Sequence, residues 1–141
     1  MSALSVGRDT GTPFEVIGAP YIDEIRLASE LNRAGLAGVR FVPIRFTPVA
    51  SKFKGQECRG VNILLTDRGR CQPIRVGLAI ARLLHRDYPG QFQLEKLNTL
   101  LVHPATVQAV RQGKPVAEIE SSWSRAREEF ARRRASFLLY P

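Results

Sequence analysis

Cysteine, histidine and tryptophan are scarce in this chain, which has two, two and one of them. Cys58 and Cys71 stand with twelve residues between them and no histidine close by. A structural zinc site needs four ligands, so a zinc-held fold is excluded. The thiols leave two states open, one disulfide or a reduced and partly buried pair. Long apolar runs are missing too, and nothing approaches the ~20 residues that span a bilayer. Residues 1–11 lack the basic and then apolar order of a signal peptide, so the chain is expected to stay where it is made. Acidic residues are the minority charge: 13 Asp+Glu face 21 Lys+Arg, a formal net charge of +8.

What is present describes one folded unit. The chain has 141 residues, of which 44% are hydrophobic and 24% charged, so disorder is excluded and residues 1–141 form a single domain. Residues 1–20 hold glycine, threonine and proline without a period and read as a structured loop around an extended piece at 14–17. A helix follows over 23–34, with Ile25, Leu27, Ala28, Leu31 and Ala34 at helical spacing and Gly35 as the stop. Residues 39–46 alternate as a strand, with Val39, Phe41, Pro43 and Arg45 on one side and Arg40, Val42, Ile44 and Phe46 on the other. A polar loop over 49–57 leads to a second strand at 61–65, paired antiparallel with the first.

Pro73 suits a first helical position, and Ile74, Leu78, Ala81 and Leu84 mark a core face opposite Arg75, Arg82 and Arg86. That helix ends before Pro89. A short helix from Leu94 and a longer one over 104–112 come next. Val116, Ile119, Trp123, Ala126 and Phe130 then predict one amphipathic helix begun by Pro115, and the apolar Phe137-Leu138-Leu139-Tyr140 predicts a tail docked on the body. Strands early and helices late make the fold α+β: a small, mainly antiparallel sheet packed against several helices.

The positive charge raises the question of a polyanion partner. The densest basic run, 125–134, is interleaved with Glu128 and Glu129, the pattern of a solvated helix face, which disfavours nucleic acid. The best candidate site is the loop 7–15, which gathers Arg8, Asp9, Thr10, Thr12, Phe14 and Glu15. It lacks the Gly-Lys-Ser/Thr ending and following helix of a nucleotide loop. In the structural alternative, Arg8 and Glu15 tie the loop together while Thr10 and Thr12 satisfy its turns. Glycoside hydrolysis needs two placed carboxyl groups. Asp9, Glu15, Glu57 and Asp67 lie in loops, but their more economical role is as surface acids. His85 and His103 fit no triad, and Trp123 reads as core before it reads as a stacking platform.

In order along the chain, Arg8-x-Thr10-x-Thr12-Pro13-Phe14-Glu15, Gly18-Ala19-Pro20, Phe41-x-Pro43-x-x-Phe46-x-Pro48, Cys58-x-Gly60-Val61, Thr66-Asp67, Tyr88-Pro89, Trp123, Phe130 and Leu138-Leu139-Tyr140 form a recognisable string. It resembles the C-terminal domain of the NamZ-type exo-β-N-acetylmuramidases, long catalogued as a domain of unknown function, over nearly all 141 residues. Two positions depart from the family pattern: Asp9 stands where glycine is usual, and Tyr21 where tryptophan is.

The resemblance implies bacterial cell-wall chemistry, the release of terminal N-acetylmuramic acid from peptidoglycan. It further implies an auxiliary, cleft-forming role for residues 1–141, with the Rossmann-like catalytic domain that precedes it in the family absent here. On that reading no catalytic residue, metal or cofactor is expected in this chain. The substrate-binding candidates are Arg8, Thr10, Thr12, Phe14, Glu15 and Asp67. The expected partners are a muropeptide or a separate Rossmann-like catalytic chain, with no membrane and with a homo-oligomer allowed. The family is usually envelope-associated or exported. The alternative function is a basic binding module for nucleic acid or an anionic polymer.

Overall fold

A computed structural model describes residues 4–8 and 10–138. Among these the order is β1 (Val16–Ala19), α1 (Glu24–Arg33), β2 (Val39–Phe46), β3 (Cys58–Leu65), α2 (Pro73–Asp87), a 3-10 turn (Leu94–Leu97), α3 (Asn98–Leu101), α4 (Pro104–Arg111), α5 (Val116–Ser121) and α6 (Ser124–Ala135). The α+β expectation holds. The three strands lie in the order β1-β3-β2, antiparallel throughout, with Val16 opposite Asn62 and Phe41 opposite Ile63. Two boundaries move: the extended piece begins at Val16 instead of residue 14, and β3 begins at Cys58 instead of Val61. Cys58 qualifies as strand because its partner Phe46 ends β2, so pairing overrides the polar signal of the preceding loop.

One face of the sheet carries the main core, in which Ala19, Phe41 and Val61 pack with Leu27, Ala28 and Leu31 of α1 and Ala79, Leu83 and Leu84 of α2. A side chain the size of Leu31 or Leu84, fully buried, contributes about 2 kcal/mol by leaving water. Helix α1 begins where Asp23 accepts a hydrogen bond from the Arg26 amide at 2.9 Å. Ile25, expected on a core face, is exposed because the buried stripe of α1 runs through Glu24, Leu27, Ala28 and Leu31 instead, and Ile74 in the first turn of α2 is exposed as well. A second cluster joins Leu78 and Ala81 of α2 to Leu94, Val107, Val110 and Ile119.

Strand β2 is an edge, and Asn32 covers part of it. Its side chain donates to the Phe41 carbonyl at 2.8 Å and accepts from the Phe41 amide at 3.0 Å, imitating a neighbouring strand. Phe41 therefore turns its backbone outward, and by the two-residue period so does Pro43, whose missing N–H costs no ladder bond. The other face of the sheet is partly open: Val42 and Leu64 are exposed, and Asn62 Oδ1 is buried with no hydrogen-bond partner among the described residues.

The last segment differs from its expectation. The 3.6-residue period breaks at Ser122 and Trp123, giving two helices, and α6 buries no residue. Phe130, Phe137 and Leu138 are exposed, so this part of the tail does not dock; Leu139 and Tyr140 lie outside the described residues. With arginines and glutamates filling its other positions, α6 has too narrow an apolar stripe to hold a core contact. Cys58 and Cys71 are free thiols, and burial pushes the Cys58 thiol up from its ordinary pKa.

Candidate functional site

The loop 7–15 is built by its own backbone. Ser5 pairs with Gly18 through two hydrogen bonds, 2.8 and 3.0 Å, which lays the chain before the loop along the free edge of β1. The Phe14 amide donates to the Val6 carbonyl at 2.8 Å and closes the loop. Gly7 takes φ +64° directly against Val16, where any side chain would collide with the valine methyl. Thr10 donates its hydroxyl to the Gly7 carbonyl at 2.6 Å and accepts from the Thr12 amide at 3.3 Å, so it satisfies turn backbone as the residue types suggested.

Phe14 is held in a left-handed conformation, φ +68°, and the residue is 65% exposed. Arg8 lies over that ring, 5.3 Å from guanidinium carbon to centroid. The Arg8–Glu15 tie does not form among the described residues; the guanidinium stacks on Phe14 instead, while the Glu15 carbonyl accepts from Ile63 at 2.7 Å and its carboxylate side stays exposed. Arg8, Phe14 and Glu15 thus form an exposed cation–ring–anion rim, with Thr10 and Thr12 half-buried behind it. Asp9 lies outside the described residues.

Asp67 sits at the same end of the sheet, beyond β3. Since Glu15 is opposite Ile63, Asp67 is four residues further on, ~13 Å along the strand direction. Its Oδ1 accepts from the amides of Gly69 and Arg70 at 2.9 and 3.2 Å, so the carboxylate shapes the turn after β3. Glu57 precedes β3 at the opposite end of the sheet, six residues and ~20 Å from Ile63. A glycosidase pair stands ~5–10 Å apart, and Glu15 with Glu57 does not meet that requirement.

Of the two histidines, His103 closes a helix end. His103 Nδ1 caps α4 by accepting from the Thr106 amide at 3.2 Å, and it lies 2.8 Å from the Thr106 hydroxyl. Trp123 donates its indole N–H to that same hydroxyl at 3.0 Å, which ties α5 and α6 back to α4 and makes Trp123 a packing residue. His85 is half-buried on α2. Tyr21 packs on Tyr88 with ring centroids 5.4 Å apart, and burial, then the Tyr88 and Cys58 neighbours, push its phenol up to about 12. No helix among the described residues is long and apolar enough to cross a membrane, and no three His, Cys, Asp or Glu side chains converge there.

Fold and loop together define the class: a small α+β domain, a three-stranded antiparallel sheet backed by helices and displaying a polar loop at one end. The profile of the family described as "Exo-beta-N-acetylmuramidase NamZ, C-terminal" matches residues 1–140, and the chain belongs to that family. It is 33% identical over 140 residues to the peptidoglycan β-N-acetylmuramidase NamZ of Bacillus subtilis (strain 168), covering 97% of this chain but only 34% of that protein. The fold is that of a solved DUF1343 family protein from Bacteroides fragilis, with TM-score 0.70 and 20% identity over 99% of this chain and 38% of that one. The chain therefore spans about a third of the relative's length.

The features that sequence reasoning missed are contacts between distant residues: Asn32 on the β2 edge and the placement of Phe14 under Arg8. A lone asparagine near a helix end carries no signal for the first. Phe14 between proline and glutamate could have signalled the second only as an apolar residue in a polar loop.

Proposed function

We propose that this domain forms one wall of the substrate cleft of a peptidoglycan exo-β-N-acetylmuramidase and does not hydrolyse the glycosidic bond by itself. The observation that carries the reading is the match of nearly all of this chain to one third of such an enzyme, together with Glu15 and Glu57, which the sheet register holds at opposite ends. The catalytic carboxylates then belong to the Rossmann-like domain or chain with which it works. The partly open sheet face beside the loop, with exposed Val42 and Leu64, is consistent with a surface that packs against that partner.

On this reading the loop supplies recognition. N-acetylmuramic acid carries a lactyl carboxylate, and the planar guanidinium of Arg8 suits a two-point grip on it. The exposed ring of Phe14 offers an apolar face to a pyranose. Thr10, Thr12 and Glu15 present groups for hydroxyl and amide contacts, and Asp67 holds the neighbouring turn in shape. Arg8 draws its rigidity from stacking on Phe14.

Incubating the purified chain with a chromogenic N-acetylmuramide tests the proposal. No release of N-acetylmuramic acid is expected, while free N-acetylmuramic acid binds weakly and Arg8→Gln weakens that binding about fivefold, as loss of a charge-assisted contact does. Release by the chain alone, abolished in Glu15→Gln, overturns the reading.

A further inference from the structure

The loop 7–15 uses none of the arginines of α2. Arg75, Arg82 and Arg86 recur at seven- and four-residue steps with Ala79 and Leu83 among them, which places them on one stripe of the helix. The apolar positions beside it, Leu78, Ala81 and Leu84, are buried. The arginine stripe lines a groove of about 450 Å³ closed by the C-terminal end of α1 and the start of α5, with Arg33 on the facing wall. A smaller recess carrying Arg70 adjoins it beside Gly35. The floor is apolar: Leu36, Ala79, Leu83 and Val116.

Arg75 and Arg86 each rest Nε and one Nη on a carboxylate, whereas Arg82 is held by Nε alone. Arg75 donates to the Glu120 carboxylate at 3.0 Å, Arg82 to the Gly113 carbonyl at 3.2 Å, and Arg86 to Asp87 at 2.6 Å. Among the described residues both Nη groups of Arg82 remain without a partner, and Arg33 makes only a loose pair with Glu30 at 3.8 Å. Glu30, Asp87 and Glu120 are the carboxylates that answer the five arginines of groove and recess, which leaves an excess of positive charge. Guanidinium groups fixed at one edge have already lost the rotamer freedom that a ligand would otherwise have to remove.

Along α2 the step from Arg82 to Arg86 is ~6 Å, and Arg75 lies ~10 Å before Arg82. The shorter step is comparable to the distance between neighbouring phosphates on a phosphodiester chain. Bases would need aromatic faces to stack on, and this groove has an aliphatic floor. We propose that the groove binds a base-free phosphodiester polyanion of the poly(glycerol phosphate) type. The site is independent of the cleft-wall reading, and its variants leave the loop residues intact.

The test titrates the purified chain into a labelled glycerol-phosphate oligomer and, separately, a single-stranded oligodeoxynucleotide with the same number of phosphates. The oligomer binds at low salt and loses about tenfold or more in affinity between ~50 and ~200 mM salt. Arg33→Gln with Arg82→Gln lowers its affinity about tenfold, while Arg127→Gln with Arg132→Gln on α6, the same loss of charge, lowers it less than about threefold. Urea midpoints monitor folding. If the double groove variant is destabilised, Arg33→Gln alone, whose side chain is 76% exposed, is expected to weaken binding at an unchanged midpoint. Equal losses in the two double variants overturn the proposal, as does an unchanged affinity in Arg33→Gln. So does tighter binding of the oligonucleotide than of the oligomer, or no oligomer binding at low salt. The muramide assay is untouched by every one of these outcomes.

Discussion

Replacing Gly60 by alanine should damage this fold far more than the size of a methyl group suggests. Gly60 lies in the central strand, opposite Gly18 of β1 and Ile44 of β2. A Cβ there would run into the Ile17 carbonyl oxygen and stand 2.6 Å from the Gly18 Cα. Both obstacles are backbone of β1, which can yield only by parting from β3 and carrying the candidate loop with it. Gly60 has no positive φ, so the penalty is one of space alone. Overpacking ordinarily costs 1–3 kcal/mol, and a rigid obstacle puts this case at the upper end, about 3 kcal/mol or more. For a domain of this size that lowers Tm by roughly 10 °C. Gly77→Ala is the matched control. It lies within α2 with nothing inside 4 Å of a new Cβ, and should gain about 0.5–1 kcal/mol by restricting the unfolded chain. Urea unfolding followed by Trp123 fluorescence and by circular dichroism measures both variants. A Gly60→Ala protein within about 1 kcal/mol of wild type refutes the close approach of β1 and β3.

Three further outcomes follow from the same contacts. Asn32→Ala removes both bonds to Phe41 and should cost about 1–2 kcal/mol in urea unfolding; an unchanged midpoint would show that the β2 edge does not depend on them. Ending the chain after Ser124 removes a helix with no buried residue, so the thermal midpoint should move by no more than ~3 °C, and a larger drop would mean that α6 packs. Asp87, its side chain 8% exposed, is held below its ordinary pKa by the hydrogen bond from Arg86, against the opposing effect of burial, with further help from the charges of Arg86 and Arg26. Its contribution is fully present above the unfolded value of ~3.9 and disappears as pH falls through the lower folded value. Stability should therefore decline below about pH 4 with a smaller slope in Asp87→Asn, and equal slopes in the two proteins would remove Asp87 as a cause.

Element identity could be read from the chain because it depends on local period and punctuation. The alternation over 39–46, the Pro73 start of α2 and the Gly35 stop after α1 required no knowledge of neighbours, and the order of motifs from Arg8 to Tyr140 carried the family. The same local logic failed at the C-terminal end. A period that ran through Val116, Ile119, Trp123 and Phe130 predicted one continuous amphipathic helix, but Trp123 spends its indole N–H on Thr106, and the chain turns there. For the candidate site, the sequence supplied the residue types of the loop and its structural threonine. The stacking of Arg8 on Phe14, the left-handed Phe14 and the attachment of Asp67 to its turn were not legible.

By itself, then, the sequence determined which segments are helix or strand and which family the chain falls in, since hydrophobic period, glycine and proline act over a few residues. Only the tertiary structure decided that Glu15 and Glu57 lie at opposite ends of a sheet, that Asn32 reaches an edge strand, and that the arginines of α2 face a groove instead of open water. Those outcomes depend on register and helix placement, which bring together residues tens of positions apart and are set by the packing of whole elements.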